Sequence, residues 1–126
     1  MVEVHKIAVT TTGSNGSATG TGYSTRAVNG EVRALKVDWG ATAPGATSDI
    51  DVVVESDDNR PEVALYSKDD SATDAWVYPK VQSTGVDGVA VAAQYQHPLA
   101  NGRLKVSVAG CNALDPAVTV YAFVVS

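Results

Sequence analysis

The strongest constraint on this chain is a two-residue hydrophobic period that returns in short segments from end to end. In SDIDVVVES, Ile50, Val52 and Val54 share one side while Asp49, Asp51 and Glu55 take the other. Successive side chains of a strand point to opposite faces, so this alternation describes a strand with one dry face. EVRALKVDW repeats it with Leu35, Val37 and Trp39, and RLKVSVA with Leu104, Val106 and Val108. The closing segment AVTVYAFVVS sets Val118, Val120, Ala122 and Val124 on one side and Thr119, Tyr121, Phe123 and Val125 on the other. Apolar on both faces, it is expected to be a central strand or one covered by a neighbouring subunit. Shorter candidates lie at EVALY, around Val63 and Leu65, and at DAWVYP, around Trp76 and Tyr78. Only GVAVAAQYQ is ambiguous: its alanines suit a helix, but Gly85, Gly88 and Pro98 bound it to the length of a strand.

Turn chemistry punctuates these runs. Asn29-Gly30, Ala43-Pro44-Gly45, Asp58-Asn59, Pro79 and Asn101-Gly102 each precede a new apolar run and are expected to be turns. Val, Thr, Gly and Ala dominate the composition, while Leu, Met and Phe are scarce, which favours pleated surfaces over helices. The expected fold is all-β: a single-domain, jelly-roll-like β-sandwich. With 126 residues it can bury roughly two thirds of its unfolded surface. Residues 10–25 break the pattern, 13 of the 16 being Thr, Ser or Gly. So little apolar surface predicts a flexible arm, either loose or ordered on a partner with Tyr23 as anchor. Residues 1–25 are therefore expected as a strand and low-complexity arm, and residues 26–126 as the sandwich.

Composition narrows the function classes. Cys111 is the single cysteine, so an intrachain disulfide is excluded and a reducing compartment is the natural setting. The segment MVEVHKIAVTTTG lacks the apolar run of a signal peptide, and no stretch approaches the roughly 20 apolar residues of a membrane span. Neither export by such a signal nor a membrane partner is expected. A formal charge of −5 disfavours nucleic acid, whose phosphates call for clustered Lys and Arg.

Tests for chemistry return no constellation. A nucleophilic site needs a base, and the two imidazoles, His5 and His97, sit in no recognisable motif. Cys111, after Gly110 at the close of a strand, suits a small buried filler. Three scattered Cys and His residues do not make a zinc site. Asp57-Asp58, Asp69-Asp70 and Asp74 lie in loops where calcium ligands occur, yet match no ligand spacing and are expected to be solvated. The glycines of GSNGSATGTG form no phosphate loop, and Asn15-Gly16-Ser17 is a sequon without a secretory route. No enzyme, cofactor, metal or catalytic residue is expected. Trp39, Trp76, Tyr78 and Tyr95 could form a sugar-stacking platform, but Trp39 is in phase with Leu35 and Val37 and belongs to the core. For Trp76 and Tyr78, exposure and burial at a subunit contact both remain open.

The order RAVNGEVRALKVDW, SDIDVVVES, DAWVYPKVQSTG, HPLANGRLKVSVAGC and a valine-rich end, after a Thr/Gly/Ser/Ala tract, resembles small virion proteins of tailed bacteriophages, of the head decoration or minor capsid type. Lys80 stands where that pattern has arginine after Tyr78-Pro79, and AGCNALDPA is longer than its usual glycine turn. The resemblance implies a β-sandwich on the capsid exterior, commonly a homotrimer, that binds the major capsid protein and ties capsomers together. A tail or head–tail component and a carbohydrate-binding β-sandwich module are the alternatives.

Overall fold

The computed structural model describes residues 1–55 and 62–126. It is all-β, with ten strands among the described residues: β1 (Val2–Val9), β2 (Ala18–Tyr23), β3 (Val28–Asp38), β4 (Asp49–Glu55), β5 (Val63–Lys68), β6 (Ala75–Val77), β7 (Val81–Thr84), β8 (Ala90–Gln96), β9 (Leu99–Cys111) and β10 (Val118–Val125). One layer has the order β1-β10-β3-β6 and the other β2-β9-β4-β5, all neighbours antiparallel. That pair of orders is the eight-strand jelly roll. β7 and β8 form a separate two-stranded ribbon inserted between β6 and β9.

The inward residues are the ones the two-residue period singles out. Leu35, Val37, Trp39, Val118, Val120, Ala122 and Val124 from one layer meet Ile50, Val52, Val54, Leu104, Val106 and Val108 from the other in a single buried cluster. Ile7 and Val9 of β1 complete it. The doubly apolar final strand is central, as expected: β10 lies between β1 and β3. GVAVAAQYQ resolves as β8, a strand and not a helix.

Two of the expected turns are not turns. Asn29-Gly30 lies inside β3 and Asn101-Gly102 inside β9, and the two segments pair: Val28 with Gly102, Asn29 with Asn101, Gly30 with Ala100. Here both long strands pass from one layer to the other, so a single corner joins the sandwich. Gly30 has φ 141° and Gly102 φ 155°. A Cβ on Gly30 would overlap the Val125 carbonyl, and one on Gly102 the Glu55 carbonyl. The glycines are required by close backbone approach, which in sequence looks like a hairpin signal. The expected turn at Asp58-Asn59 lies outside the described residues.

The Thr/Ser/Gly tract is also not an arm apart from the sandwich. It supplies β2, which pairs with β9, and leads into it through a Thr12–Thr19 bridge. Its hydroxyls meet backbone groups in place of apolar contacts. The buried Thr11 donates to the Asn112 carbonyl at 2.6 Å and accepts the Leu114 N–H at 3.0 Å. Buried Ser24 donates to the Arg26 carbonyl at 2.7 Å and accepts the Leu104 N–H at 3.0 Å. Gly20 and Gly22 lie against the Thr10 and Ala8 carbonyls, letting β2 of one layer come close to β1 of the other. Low hydrophobicity is here offset by satisfied hydrogen bonds. Residues 1–25 thus contribute one strand to each layer.

Alanine at Gly30 or Gly102 is expected to destabilise the chain by about 2–4 kcal/mol, through overlap and an unfavourable φ. Urea unfolding followed by circular dichroism checks this, with a lowered midpoint expected for each variant.

Candidate binding face

β10 places Thr119, Tyr121, Phe123 and Val125 on the outer side of its layer, each only half-buried. Register sets their neighbours. Across the four strands, Lys6, Tyr121, Lys36 and Trp76 fall in one row, and Val4, Phe123 and Ala34 in the next. A register shift between Phe123 and Val124 leaves Arg33 as the extra residue of β3, where its guanidinium reaches Glu31 at 2.8 Å. Such bulges re-aim the side chains around them. Trp76 is 52 % exposed, with its ring centroid 5.5 Å from that of Phe123 and tilted 36° to it. The Lys36 ammonium sits 5.4 Å from the Trp76 centroid, within cation–π range. Val2 and Val4 extend the face along β1, both exposed. The result is an aromatic and aliphatic surface bearing Lys6 and Lys36, on a rigid four-stranded layer.

The candidate residues of the sequence distribute as follows. Trp39 is buried in the core, its backbone N–H donating to Asp74 Oδ1 at 2.7 Å. Trp76, Tyr78 and Tyr95 are exposed, Trp76 on the layer, Tyr78 just beyond β6 and Tyr95 on the ribbon. Tyr23 is partly exposed beneath the Arg103 guanidinium, 5.0 Å from its ring centroid, so its partner is intramolecular. His5 is buried beside Glu3, its Nε2 3.2 Å from the carboxylate, and Arg26 approaches the same carboxylate at 3.6 Å. His97 is half-buried, and its Nδ1 donates to the Pro79 carbonyl at 3.3 Å. Cys111 is fully buried at the end of β9. His5, His97 and Cys111 thus sit in β1, in the β8–β9 connection and at the far end of β9.

Of the loop acids, Asp74 caps Trp39, and the Asp70 N–H donates to Asp49 Oδ1 at 3.0 Å. Asp57 and Asp58 lie outside the described residues. Among the described residues, no group of three or more His, Cys, Asp or Glu is placed to hold a metal ion, and no helix is long and apolar enough to cross a membrane. Sequence reasoning did not name Phe123 or Tyr121 as partners of Trp76. Their signal was the apolar outer side of the last strand, but the juxtaposition depends on the β10–β3–β6 register.

No family model and no curated protein matches the chain. Among solved structures, it is similar to a tyrosine-to-alanine mutant of CBM29-2, a family 29 carbohydrate-binding module studied for its ligand recognition. The TM-score is 0.38 at 8 % identity, over 98 % of this chain and 78 % of that one. A likeness at that level carries no argument.

The two tryptophans differ enough in exposure, 2 % for Trp39 and 52 % for Trp76, to be separated optically. Trp76→Phe is expected to leave blue-shifted emission that acrylamide quenches poorly. Trp39→Phe should leave red-shifted, readily quenched emission, and quenching titrations of both variants check the pair.

Proposed function

We propose that this chain is a non-catalytic structural protein of a tailed-phage virion, a head decoration protein that binds the major capsid protein lattice on the capsid exterior. The observation that carries the reading is the outer face of the β1-β10-β3-β6 layer. There Val4, Phe123, Tyr121 and Trp76 stand on a rigid sheet, with Val4 and Trp76 still largely open to solvent. Aromatic anchors on a rigid platform, rimmed by polar groups, are what protein docking sites use. Lys6 and Lys36 flank the aromatic groups, with Asp38 and Glu31 in the outer rows of Thr119 and Val125, so the apolar centre has a rim of mixed charge. The resemblance in segment order and texture supplies the capsid as the partner.

The mechanism is linkage. A protein that binds only the assembled lattice stabilises that lattice by mass action, and repeated copies add avidity. The chain would be made in the host cytoplasm and carried on the particle, with no reaction to perform.

Co-sedimentation with expanded and mature capsids tests this. The wild type is expected to pellet with capsids, and Trp76→Asp combined with Val4→Asp to bind at least about tenfold more weakly. Wild-type protein left in the supernatant, or equal binding by the variant, would overturn the reading.

A second reading, a carbohydrate-binding module, is favoured by the exposure of Trp76, Tyr78 and Tyr95, whose ring faces could stack on sugars. A glycan array separates the two: binding lost on Trp76→Ala, with no affinity for capsids, would favour the module.

A further inference from the structure

The β7–β8 ribbon stands outside the jelly roll, and β8 from Ala90 to Gln96 is exposed at every position but Val91. Its base is held firmly. Pro79 and Pro98 are buried, His97 donates to the Pro79 carbonyl, and the Val32 N–H donates to the Pro98 carbonyl at 3.0 Å. Val81 and Gln96 pair to close the neck. Beyond that neck, Val86, Val89 and Tyr95 are exposed at 113 %, 63 % and 60 %. A two-stranded ribbon is marginally stable alone, and a third strand or a covering surface is what makes one persist.

The ribbon's ladder is irregular, with a register shift between Gln82 and Thr84 and Ala93 of β8 at φ 60°, but it carries almost none of the charged and proline residues that keep sheet edges apart. Lysines, prolines and inward charges normally blunt an edge. Residues 81–96 contain neither Lys nor Pro, and Asp87, at the turn, is their single charged side chain. Over residues 75–99 the charges are Lys80 and Asp87, which cancel, so the whole −5 resides elsewhere. Two copies meeting through most other surfaces bring like charge together. Meeting through this segment, they do not. Exposed Val86, Val89, Tyr95 and Leu99 lie on or beside this neutral segment, so contact between two copies there covers apolar surface without opposing like charges.

We infer that the β7–β8 hairpin is a self-association element that docks onto a second copy of this chain, with its exposed apolar side chains Val86, Val89 and Tyr95 forming the contact. This does not rest on the capsid reading, since it concerns the chain in solution by itself.

Analytical ultracentrifugation from micromolar to high micromolar concentration tests it, alongside hydrogen exchange. The wild type is expected to sediment as a whole multiple of 13.0 kDa. Val89→Lys combined with Tyr95→Lys changes only exposed positions and should give a monomer with an unchanged circular dichroism spectrum. Amides of residues 90–96 should exchange slowly in the wild-type multimer and at least tenfold faster in the variant. A wild-type monomer across the range, a variant of unchanged mass, or equally fast exchange in both would overturn the inference. So would amides protected only after capsids are added, which would assign the ribbon to the lattice.

Discussion

The sandwich hangs on one antiparallel crossing, where Val28–Glu31 of β3 pairs with Leu99–Gly102 of β9. Each strand is long because it serves both layers. β3 goes on to pair with β10 and β6, and β9 with β2 and β4. Backbone must pass within contact distance of neighbouring carbonyls on both sides of this crossing, and only residues without a Cβ allow it. The stacking of the two layers, and the shared core that follows, depend on the room left at Gly30 and Gly102.

Core residues were legible in the sequence because burial and the two-residue period are the same statement. Leu35, Val37 and Trp39, or Leu104, Val106 and Val108, needed no partner to be recognised. What failed to show were features whose meaning is set by distant chain. Asn29-Gly30 and Asn101-Gly102 carry a hairpin signature, yet each is straightened by the other into a corner. Residues 10–25 are poor in apolar groups, so they looked unbound, but Thr11 and Ser24 are held by backbone groups 101 and 80 residues further along the chain, respectively. Composition counts apolar surface and does not count hydrogen-bond partners.

The outer aromatic face illustrates the same limit. Trp76 and the last strand each drew attention separately, but Phe123 reaches Trp76 only through the placement of β3 between their strands. Pairing of β6 with β3 fixes the backbone on one side, and Lys36 and Phe123 limit the swing of the indole. The β7–β8 ribbon follows the opposite plan, fixed at its neck and free along its length. One surface is a paired four-stranded layer of mixed charge, the other a projecting ribbon with a single charged side chain.

The pairing of β1 with β10 has a consequence for how the chain is made. Val2 lies opposite Val125, and Val9 opposite Val118, so β1 must wait for a neighbour made more than a hundred residues later. Until β10 leaves the ribosome, the β1-β10-β3-β6 layer lacks its central member, and the apolar side of β3 has no finished sheet to join. Folding of the sandwich is therefore slow for its size, because distant segments must meet before their contacts reward the closure. The hydroxyl-rich stretch after β1, short of apolar side chains, adds little to any collapse that comes before this pairing.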